Sequence, residues 1–450
     1  MPDRLLPVTR NGRIFVGLVL FLALALRFGA VLKTTDGYAP QTDAKHFDII
    51  ATSLIHGHGF GHAVLPPATG PTAQRSPLYP ISLAGVYAVF GDHSWTAGRL
   101  TNEFFGVGIV ALIGLIGAQL FGRRIGAIAL ALAAINPTLI LIASGLQLEP
   151  LLVLLNLATV ALALRYRGRP RGVLLPIALG VTLGLAVLSR ELTFFWIPSL
   201  VWLIWPAEKS GGFRAKAAVP ALVLVLAGAV VAPWTIRNAV RLHAFIPVSI
   251  GNGIGLSGTY NATAMAHRGR WSRPYDDPTM RGVLEKLIAE KPRPTEVDVD
   301  RVLQSASLKF AREHPVYTAF QVPFWNTIRM FDLDGGAYSR YVTRFLPYPR
   351  RLVNPAVYGF YLFALLAIVG AFSAKARAAP KAIWLIPVLL YFALVVPLPG
   401  TIRYRASLEP FFTLVAALAV APAVDRVLAQ FRHAENADVS EPQGGAGRRS

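Results

Sequence analysis

The 450-residue chain has no cysteine and is poor in charge: 15% of its residues are Asp, Glu, Lys or Arg, whereas 54% are hydrophobic. The absence of cysteine excludes disulfides and thiolate metal sites. The shortage of charge excludes an ordinary soluble protein of this length. Runs of about 20 largely apolar residues, long enough to cross a bilayer, recur along the chain. The sequence therefore predicts an all-α, polytopic membrane protein.

Acidic residues are also scarce: 24 Asp and Glu stand against 44 Lys and Arg, which gives a net charge of +20. That balance alone would suggest a nucleic-acid partner. The basic residues, however, cluster in short gaps between apolar runs, as the positive-inside rule describes for cytoplasmic loops. The charge therefore indicates membrane topology, and we expect no nucleic acid. The clusters lie at 4–13, 123–124, 165–171, 209–216, 375–381 and 426–432.

The topology follows from keeping every basic cluster inside. The apolar stretch 77–90 is about 14 residues long and begins at a Pro, so we interpret it as an interfacial helix. Counting it as a span would move Arg123 and Arg124 to the outside. About ten spans result, with both termini in the cytoplasm: 14–32, 98–120, 125–143, 150–165, 172–188, 192–206, 217–235, 353–373, 381–399 and 407–426.

These spans define one membrane domain, residues 1–430, followed by a polar tail at 431–450 that we expect to be disordered and cytoplasmic. An alternative makes residues 1–25 a cleaved signal peptide. We favour a retained anchor, because the apolar run continues past the small residues Ala23-Leu24-Ala25. The external loops of the domain are 33–97, 144–149 and 236–352.

The third external loop contains two segments with helical spacing, 285–290 and 302–313, separated by prolines. We expect interfacial helices there and no separate folded domain. The loop also carries aromatic residues mixed with basic ones. These either stack on sugar rings or pack the loop onto the membrane surface, and the sequence leaves both open.

The first external loop contains an ionised residue in an apolar setting, Asp43. Apolar residues between 47 and 55 recur at helical spacing, so we expect a short helix on the membrane that begins at Thr42 or Asp43. Asp43 either caps the first turn or acts as a general base that accepts a proton from an attacking hydroxyl, and the two roles are compatible. Partial desolvation is expected to raise its basicity. Asp36 and Asp48 rank below it.

A second carboxylate, Glu149, lies between two long apolar runs with no basic residue near it in sequence. It either starts a helix ahead of Pro150, where negative charge is stabilising, or belongs to a site at the membrane boundary. Both alternatives remain open from the sequence.

Four arginines at predicted external span ends depart from the positive-inside trend. A guanidinium group stays charged and binds phosphate oxygens in forked pairs, so these residues suit a lipid-linked phosphate. The alternative for each arginine is that its side chain extends to the headgroup of a bulk lipid. Their joint occurrence at three span ends favours the phosphate site. They are Arg190, Arg237, Arg403 and Arg405.

Histidines in the first external loop raise the question of a metal site. An imidazole with a nearby carboxylate is a reasonable ligand set for a divalent ion. Their spacing is loose, so we expect no required metal; His46 and His58 are the candidate ligands, beside His56 and His62. No Gly-rich loop of the phosphate-cradling kind opens a helix, so we expect no nucleotide.

Six segments, taken in order, resemble the bacterial GT-C glycosyltransferases, the group related to protein O-mannosyltransferases and to the lipid A aminoarabinose transferase. The resemblance covers nearly the whole chain up to about residue 430, and it depends on the order and external placement of the segments. They are Thr42-Asp43-Ala44 with its following helix ending in His56-Gly57-His58-Gly59-Phe60, Ser76-Pro77-Leu78-Tyr79-Pro80, Gly98-Arg99-Leu100-Thr101-Asn102, Glu149-Pro150-Leu151, Pro233-Trp234-Thr235-Ile236-Arg237-Asn238 and Arg403-Tyr404-Arg405.

The resemblance implies a GT-C membrane fold, a polyprenyl-phosphate sugar as donor, and an acceptor hydroxyl on a glycan, a lipid or a protein. An acidic residue in the first external loop is the base in this family, and Asp43 holds that position. Relatives often have Asp-Glu there, whereas this chain has Asp43-Ala44, so no role for the second acid is carried over. Glu149 matches an acid that orients the acceptor or the base.

The resemblance also implies a location and a stereochemical outcome. Displacement of the lipid phosphate inverts the anomeric centre, with the arginines neutralising the leaving group. Some relatives contain a divalent ion and others work without one. The expected location is the bacterial inner membrane, with the site facing the periplasm or cell exterior, in the assembly of cell-envelope glycans. Further substrate contacts are expected from His46, Tyr79, Arg99 and Asn238.

Two other functions agree with the same composition. A transporter or flippase of lipid-linked sugars would share the hydrophobicity, the external arginines and the loop aromatics. Such proteins tend to show internal repeats and ionisable groups near mid-membrane, whereas this chain shows no evident repeat and we expect its acids at the interface. A lipid-linked oligosaccharide ligase or polymerase would differ mainly in donor size. The sequence does not specify the sugar, the acceptor or the polyprenyl length.

Overall fold

The computed structural model describes residues 9–61, 70–168, 170, 172–206, 212–291, 294–342, 350–396 and 400–440. Over this part of the chain the regular structure is helical, and extended residues pair only in an isolated antiparallel bridge between Gly61 and Pro71. The predicted all-α class is confirmed. His62, one of the histidines considered for a metal, lies outside the described residues.

The α-helices are named in chain order. They are α1 (Arg10–Leu32), α2 (Asp43–Ile55), α3 (Leu78–Phe90), α4 (Trp95–Phe121), α5 (Arg123–Ile135), α6 (Pro137–Ala143), α7 (Glu149–Gly168), α8 (Leu174–Ser189), α9 (Ile197–Ile204), α10 (Phe213–Leu242), α11 (Asn252–Thr259), α12 (Ala262–Ala266), α13 (Pro278–Glu290), α14 (Glu296–Glu313), α15 (Val322–Met330), α16 (Ala337–Val342), α17 (Arg350–Ala371), α18 (Ala374–Ala378), α19 (Lys381–Val395), α20 (Ile402–Arg405) and α21 (Glu409–Ser440). The last helix continues past the domain boundary predicted at 430, and residues 441–450 of the predicted tail lie outside the described residues.

Among the described residues, six helices are long and apolar enough to cross a membrane, and the bent pair α5 and α6 makes up to seven. The chain is a multi-pass membrane protein. The predicted count of ten spans is not confirmed. The predicted spans 172–188 and 381–399 overlap α8, of 16 residues, and α19, of 15. These helices are at most about 24 Å long, against a hydrocarbon core of about 30 Å. The six are α1, α4, α7, α10, α17 and α21.

The predicted span 125–143 is broken between α5 and α6, which are bent by 55°. Asn136 precedes Pro137, and the position before a proline disfavours helical geometry. The Asn136 side chain caps α6 by accepting from two of its amides, while Arg27 of α1 donates to two carbonyls at the end of α5. Side chains therefore pair two backbone groups at each of the two helix ends. Arg27 also lies 4.0 Å from Glu103 of α4, and both side chains are fully buried.

Apolar packing fixes the elements that carry the external loops. The main core joins α4, α5, α7 and α21. Helices α4 and α5 approach closely at glycines: a Cβ atom on Gly126 would lie 2.6 Å from the carbonyl oxygen of Gly114. A second cluster packs α2 and α3 against Leu146 and Leu148 of the second external loop. This second cluster fixes α2 relative to the loop that precedes α7.

The third external loop contains helices where they are predicted, because α13 and α14 include the segments 285–290 and 302–313. A capping box starts α14. In its first turn, Glu296 accepts from the Thr72 hydroxyl and from the Ala73 amide, both at 2.7 Å. The third external loop therefore holds part of the first.

Candidate active site

Asp43 is the first residue of α2, as predicted, and both of its carboxylate oxygens accept from arginines. Arg75 of the first external loop donates from Nη2 to Oδ1 at 2.6 Å. Arg403 of α20 donates from Nη1 to Oδ2 at 2.5 Å. Thr42, the preceding residue, has a φ of +50° and makes no side-chain cap bond. The start of this helix therefore presents the Asp43 carboxylate to two guanidinium groups.

Arg403 joins Asp43 to the second predicted carboxylate, Glu149. Its Nε donates to Glu149 Oε1 at 2.5 Å, and Arg190 donates from Nη1 to the same oxygen at 3.1 Å. Glu149 is 1% exposed and Arg403 is 6% exposed. The Arg190 guanidinium also lies over the Tyr404 ring, 4.9 Å from its centroid. We use the name site cluster for Asp43, Arg75, Glu149, Arg190 and Arg403.

The site cluster contains three guanidinium groups and two carboxylates, an excess of one positive charge. Burial by itself raises the pKa of the Asp43 carboxyl, but Arg75 and Arg403 outweigh this effect and hold the pKa well below its ordinary value. The expected rise in the basicity of Asp43 is therefore wrong for this state of the protein. Burial and the charge of Arg75 lower the pKa of His46 to about 4, so this imidazole is neutral at pH 7.

Side chains of α4 hold the loop that leads to Glu149. Arg99 donates from Nε to Ser144 O at 2.7 Å. Asn102 donates to two further carbonyls of the loop, at 2.7 and 3.0 Å, and to the Tyr79 hydroxyl at 3.0 Å. Arg99 and Tyr79, predicted as substrate contacts, thus lie around the loop that carries Glu149 and outside the site cluster.

Arg237 is not part of the site cluster. Its two terminal nitrogens donate to the carbonyls of Phe60 and Thr72, both at 2.7 Å. The neighbouring Asn238 is fully buried and donates to a carbonyl at the start of the third external loop. The guanidinium predicted to bind a phosphate therefore holds the first external loop, close in sequence to Arg75.

Arg405 also lies apart from the site cluster. It is fully buried. Its Nη1 donates to Asp332 at 2.6 Å and its Nε donates to Glu409 at 2.9 Å. Acidic side chains of the protein neutralise the Arg405 cation. Its departure from the positive-inside trend is therefore explained by these contacts, and no bound phosphate is needed to explain it.

Arg75 is a member of the site cluster that is not among the residues predicted from the sequence. It lies directly before the segment Ser76-Pro77-Leu78-Tyr79-Pro80 and belongs to a predicted external loop. There it departs from the positive-inside trend as the four predicted arginines do, and that signal could have found it. Besides Asp43 it contacts His46, whose Nδ1 lies 2.6 Å from Arg75 Nη2.

The described residues do not fit a metal ion at His46. Arg75 faces its Nδ1, and both oxygens of Asp43 accept from guanidinium groups, so a metal cation would meet positive charge. Within the described ranges, no three His, Asp or Glu side chains come together in a metal-binding group. His58, the other candidate ligand, lies near His56, with ring centroids 6.3 Å apart.

Arg237→Ala is expected to lower the free energy of unfolding by about 1–3 kcal/mol, because it removes two charge-assisted hydrogen bonds to the first external loop. Thermal unfolding in detergent measures the change. Arg241→Ala is the matched control, since Arg241 is an exposed arginine one turn further along α10; its effect should stay within about 0.5 kcal/mol. Equal losses in the two variants would contradict the structural role of Arg237.

Comparison with known sequences adds a family likeness. Residues 74–236 match the family model described as dolichyl-phosphate-mannose-protein mannosyltransferase. This range is less than half of the chain and includes Arg75, Glu149 and Arg190. No curated protein sequence matches the chain.

Solved structures match almost the whole chain. The archaeal oligosaccharyltransferase AglB of Archaeoglobus fulgidus, in complex with an inhibitory peptide and a dolichol-phosphate, aligns with 97% of this chain at a TM-score of 0.57 and 12% sequence identity. The chain has the GT-C fold. The GT-C fold predicted from the order of the six segments is thus confirmed.

Further GT-C structures give the extent of the likeness. The Archaeoglobus fulgidus oligosaccharyltransferase tethered with an acceptor peptide aligns with 96% of this chain at a TM-score of 0.57 and 14% identity. The chain spans about half the length of these two GT-C structures, 52% and 51%. ArnT of Cupriavidus metallidurans bound to undecaprenyl phosphate aligns at a TM-score of 0.43 and 16% identity, over 92% of this chain and 79% of that one.

Proposed function

We propose that this protein is a membrane glycosyltransferase that moves a sugar from a polyprenyl-phosphate donor to a hydroxyl acceptor, with inversion at the anomeric carbon. The observation that carries the proposal is the fork of Arg403, which links the acid of the first external loop to the acid of the second. Similarity to a family described by a dolichyl-phosphate-mannose donor supports it. We place the site on the periplasmic or outer face of a bacterial inner membrane, with a glycan, lipid or protein as acceptor.

The proposed donor phosphate ligands are Arg190 and Arg403, joined by Arg75. All three already bind carboxylate oxygens, and a phosphodiester offers the same kind of acceptor in forked geometry. The excess positive charge of the site cluster attracts the anion, and the low exposure of the cluster strengthens that attraction. Arg237 and Arg405, which bind other parts of the protein, are not among the ligands of this proposal.

Asp43 is the proposed base. Before the donor binds, two guanidinium groups hold its pKa low and make it a weak base. A donor phosphate that draws Arg403 or Arg75 toward its own oxygens removes part of this effect, so the pKa of Asp43 rises toward its ordinary value. The donor thereby activates the base beside the anomeric carbon.

The chemical step couples three events. The acceptor oxygen forms a bond to the anomeric carbon while its proton passes to Asp43. The bond between the anomeric carbon and the phosphate oxygen breaks, and its electron pair leaves with the lipid phosphate. Arg190 and Arg403 neutralise the charge that develops there, and Glu149 holds both arginines in position. We assign no step to a metal, because guanidinium groups hold the Asp43 oxygens.

The test is sugar transfer by the purified protein in liposomes. It is offered a panel of polyprenyl-phosphate sugars and glycan, lipid and peptide acceptors, with and without a chelator. Transfer or slow hydrolysis of one donor, with an inverted product by NMR, supports the proposal, and activity that persists in the chelator supports a step without metal. Movement of labelled donor across the bilayer without bond cleavage would identify a transporter instead. Turnover of oligosaccharide donors alone would identify a ligase or polymerase.

A further inference from the structure

Gln147 is fully buried, yet neither polar atom of its side chain has a hydrogen-bond partner among the described residues. The same is true of Glu149 Oε2 and of the buried Thr401 hydroxyl, two residues before Arg403. Buried polar atoms in folded proteins are almost always paired. Unpaired atoms on residues in or next to the site cluster therefore point to a ligand that pairs them.

The loop around Gln147 is fixed by contacts that leave its amide unused. Side chains of α4 bind three of the loop carbonyls, and the Tyr38 hydroxyl accepts from the Leu146 amide at 3.0 Å. Leu146 and Leu148, on either side of Gln147, pack in the cluster with α2 and α3. The backbone and the flanking side chains are thus held by the protein, whereas the Gln147 amide is not.

We propose that Gln147 and Glu149 Oε2 bind hydroxyl groups of the donor sugar, and that Gln147 helps to select that sugar. This proposal rests on the proposed function and names the part of the donor that the second external loop recognises. Thr401, two residues before Arg403, is a further residue with an unpaired buried polar atom. The loop that carries Glu149 thereby serves both the phosphate, through the arginines, and the sugar ring.

The chemistry of the unpaired atoms favours a hydroxylated ring over the rest of the donor. The Gln147 amide both donates and accepts hydrogen bonds, and a carboxylate oxygen such as Glu149 Oε2 only accepts. A sugar hydroxyl can donate to either oxygen and accept from the amide nitrogen. An ionised phosphodiester has no hydrogen to donate, and a prenyl chain neither donates nor accepts, so neither can satisfy Glu149 Oε2.

The test compares two lipids, a polyprenyl-phosphate sugar that the protein turns over and the bare polyprenyl phosphate. Gln147→Leu should weaken binding of the sugar-bearing lipid about tenfold, the loss of roughly one hydrogen bond to a sugar hydroxyl, and leave binding of the bare lipid unchanged. Arg190→Gln should weaken both lipids. The Leu variant should unfold at the same temperature as wild type or higher, because an apolar side chain of similar size replaces an unpaired buried amide.

A second readout uses donors that lack single sugar hydroxyls. Wild type should discriminate against one of them, and Gln147→Leu should lose that discrimination, as a double-mutant cycle requires of a direct contact. Gln147→Met, with a more flexible apolar side chain, should behave as the Leu variant does and covers the case in which Leu does not fold.

Three results would overturn the proposal. In the first, the folded Leu or Met variant binds the sugar-bearing lipid as tightly as wild type does and still discriminates against the same donor that lacks a hydroxyl. Gln147 then does not bind the sugar, although the glycosyltransferase proposal still stands. An equal loss for both lipids places the effect in the phosphate site. Failure of the wild-type protein to bind or turn over any sugar-bearing lipid removes the proposed function and this inference together.

Discussion

Asp43→Asn is expected to reduce sugar transfer about 10²–10⁴-fold while the donor still binds. The amide is close in shape to the carboxylate but cannot take the proton of the acceptor hydroxyl, and general bases contribute rate factors of this size. Single-turnover measurement with donor bound separates the chemical step from binding, and donor affinity is measured on the same preparation. The loss should lie almost entirely in the rate of the bound complex.

The matched control is Asp48→Asn. Asp48 belongs to the same helix, is buried, and accepts from the Tyr87 hydroxyl at 2.6 Å and from Trp95 Nε1 at 2.9 Å. Asp48→Asn should lower stability. The rate of sugar transfer by its folded fraction should stay within about threefold of the wild-type rate, since Asp48 binds other side chains of the fold and no reacting group. A turnover of Asp43→Asn close to that of this control would remove Asp43 from the role of base.

Arg403→Ala is expected to have the second large effect, on stability and on donor binding together. It removes the shared partner of Asp43 and Glu149, and loss of one member of a buried ion pair costs about 3–5 kcal/mol. Thermal unfolding in nanodiscs measures the stability. Affinity for bare polyprenyl phosphate should fall at least about tenfold, because a charge-assisted ligand is lost.

Two further variants separate charge from geometry at Arg403. Arg403→Lys keeps the charge, but one ammonium group lacks the fork that reaches Asp43 and Glu149 at once, so stability should recover more than phosphate affinity does. Glu149→Gln should lower stability less in the Arg403→Ala background than in wild type, because the contact between these two residues is already lost there and only the contact of Glu149 with Arg190 remains.

Arg405→Lys is the control for Arg403. It weakens another buried arginine network, that with Asp332 and Glu409, and should lower stability while leaving the phosphate affinity of the folded fraction unchanged. If Arg403→Ala and Arg405→Lys reduce this affinity equally, the loss at Arg403 comes from the fold and the donor-site assignment is wrong.

Much of the fold could be predicted from apolar runs, because in a membrane each run forms one helix. The predicted span 125–143 shows the limit of this rule: an Asn-Pro pair inside it breaks the helix, and its polar partners come from α1. The count of spans was harder to predict, since the helices α8 and α19 are apolar yet short. Composition alone does not decide whether such a helix crosses the bilayer.

Part of the candidate site could also be read from the sequence. Glu149, Arg190 and Arg403 lie at predicted external span ends and Asp43 lies in the first predicted external loop. The structure brings these four together. Arg405 has the same signature in sequence, but its partner Asp332 is 73 positions away, and nothing in the sequence pairs the two. Such pairing is set by tertiary contacts, which is why residues alike in sequence differ in their surroundings.

Gln147 illustrates a different limit. A glutamine between two leucines carries no pattern that marks a site, and its importance comes from burial without a partner. Burial and pairing are properties of the folded chain, so only the structure reveals them.

Arg403 stands 360 positions after Asp43. A ribosome adding about 5–20 residues per second takes roughly 20–70 s to make the chain between them. The first external loop is present during this whole interval, and Glu149 and Arg190 are added in the course of it. Arg403, the residue that connects them, is still missing. A chain that ends before Arg403 therefore contains both carboxylates and the other two arginines of the site cluster but not the residue that links Asp43 to Glu149. Under the proposed function, an unfinished copy in the membrane lacks a complete donor site.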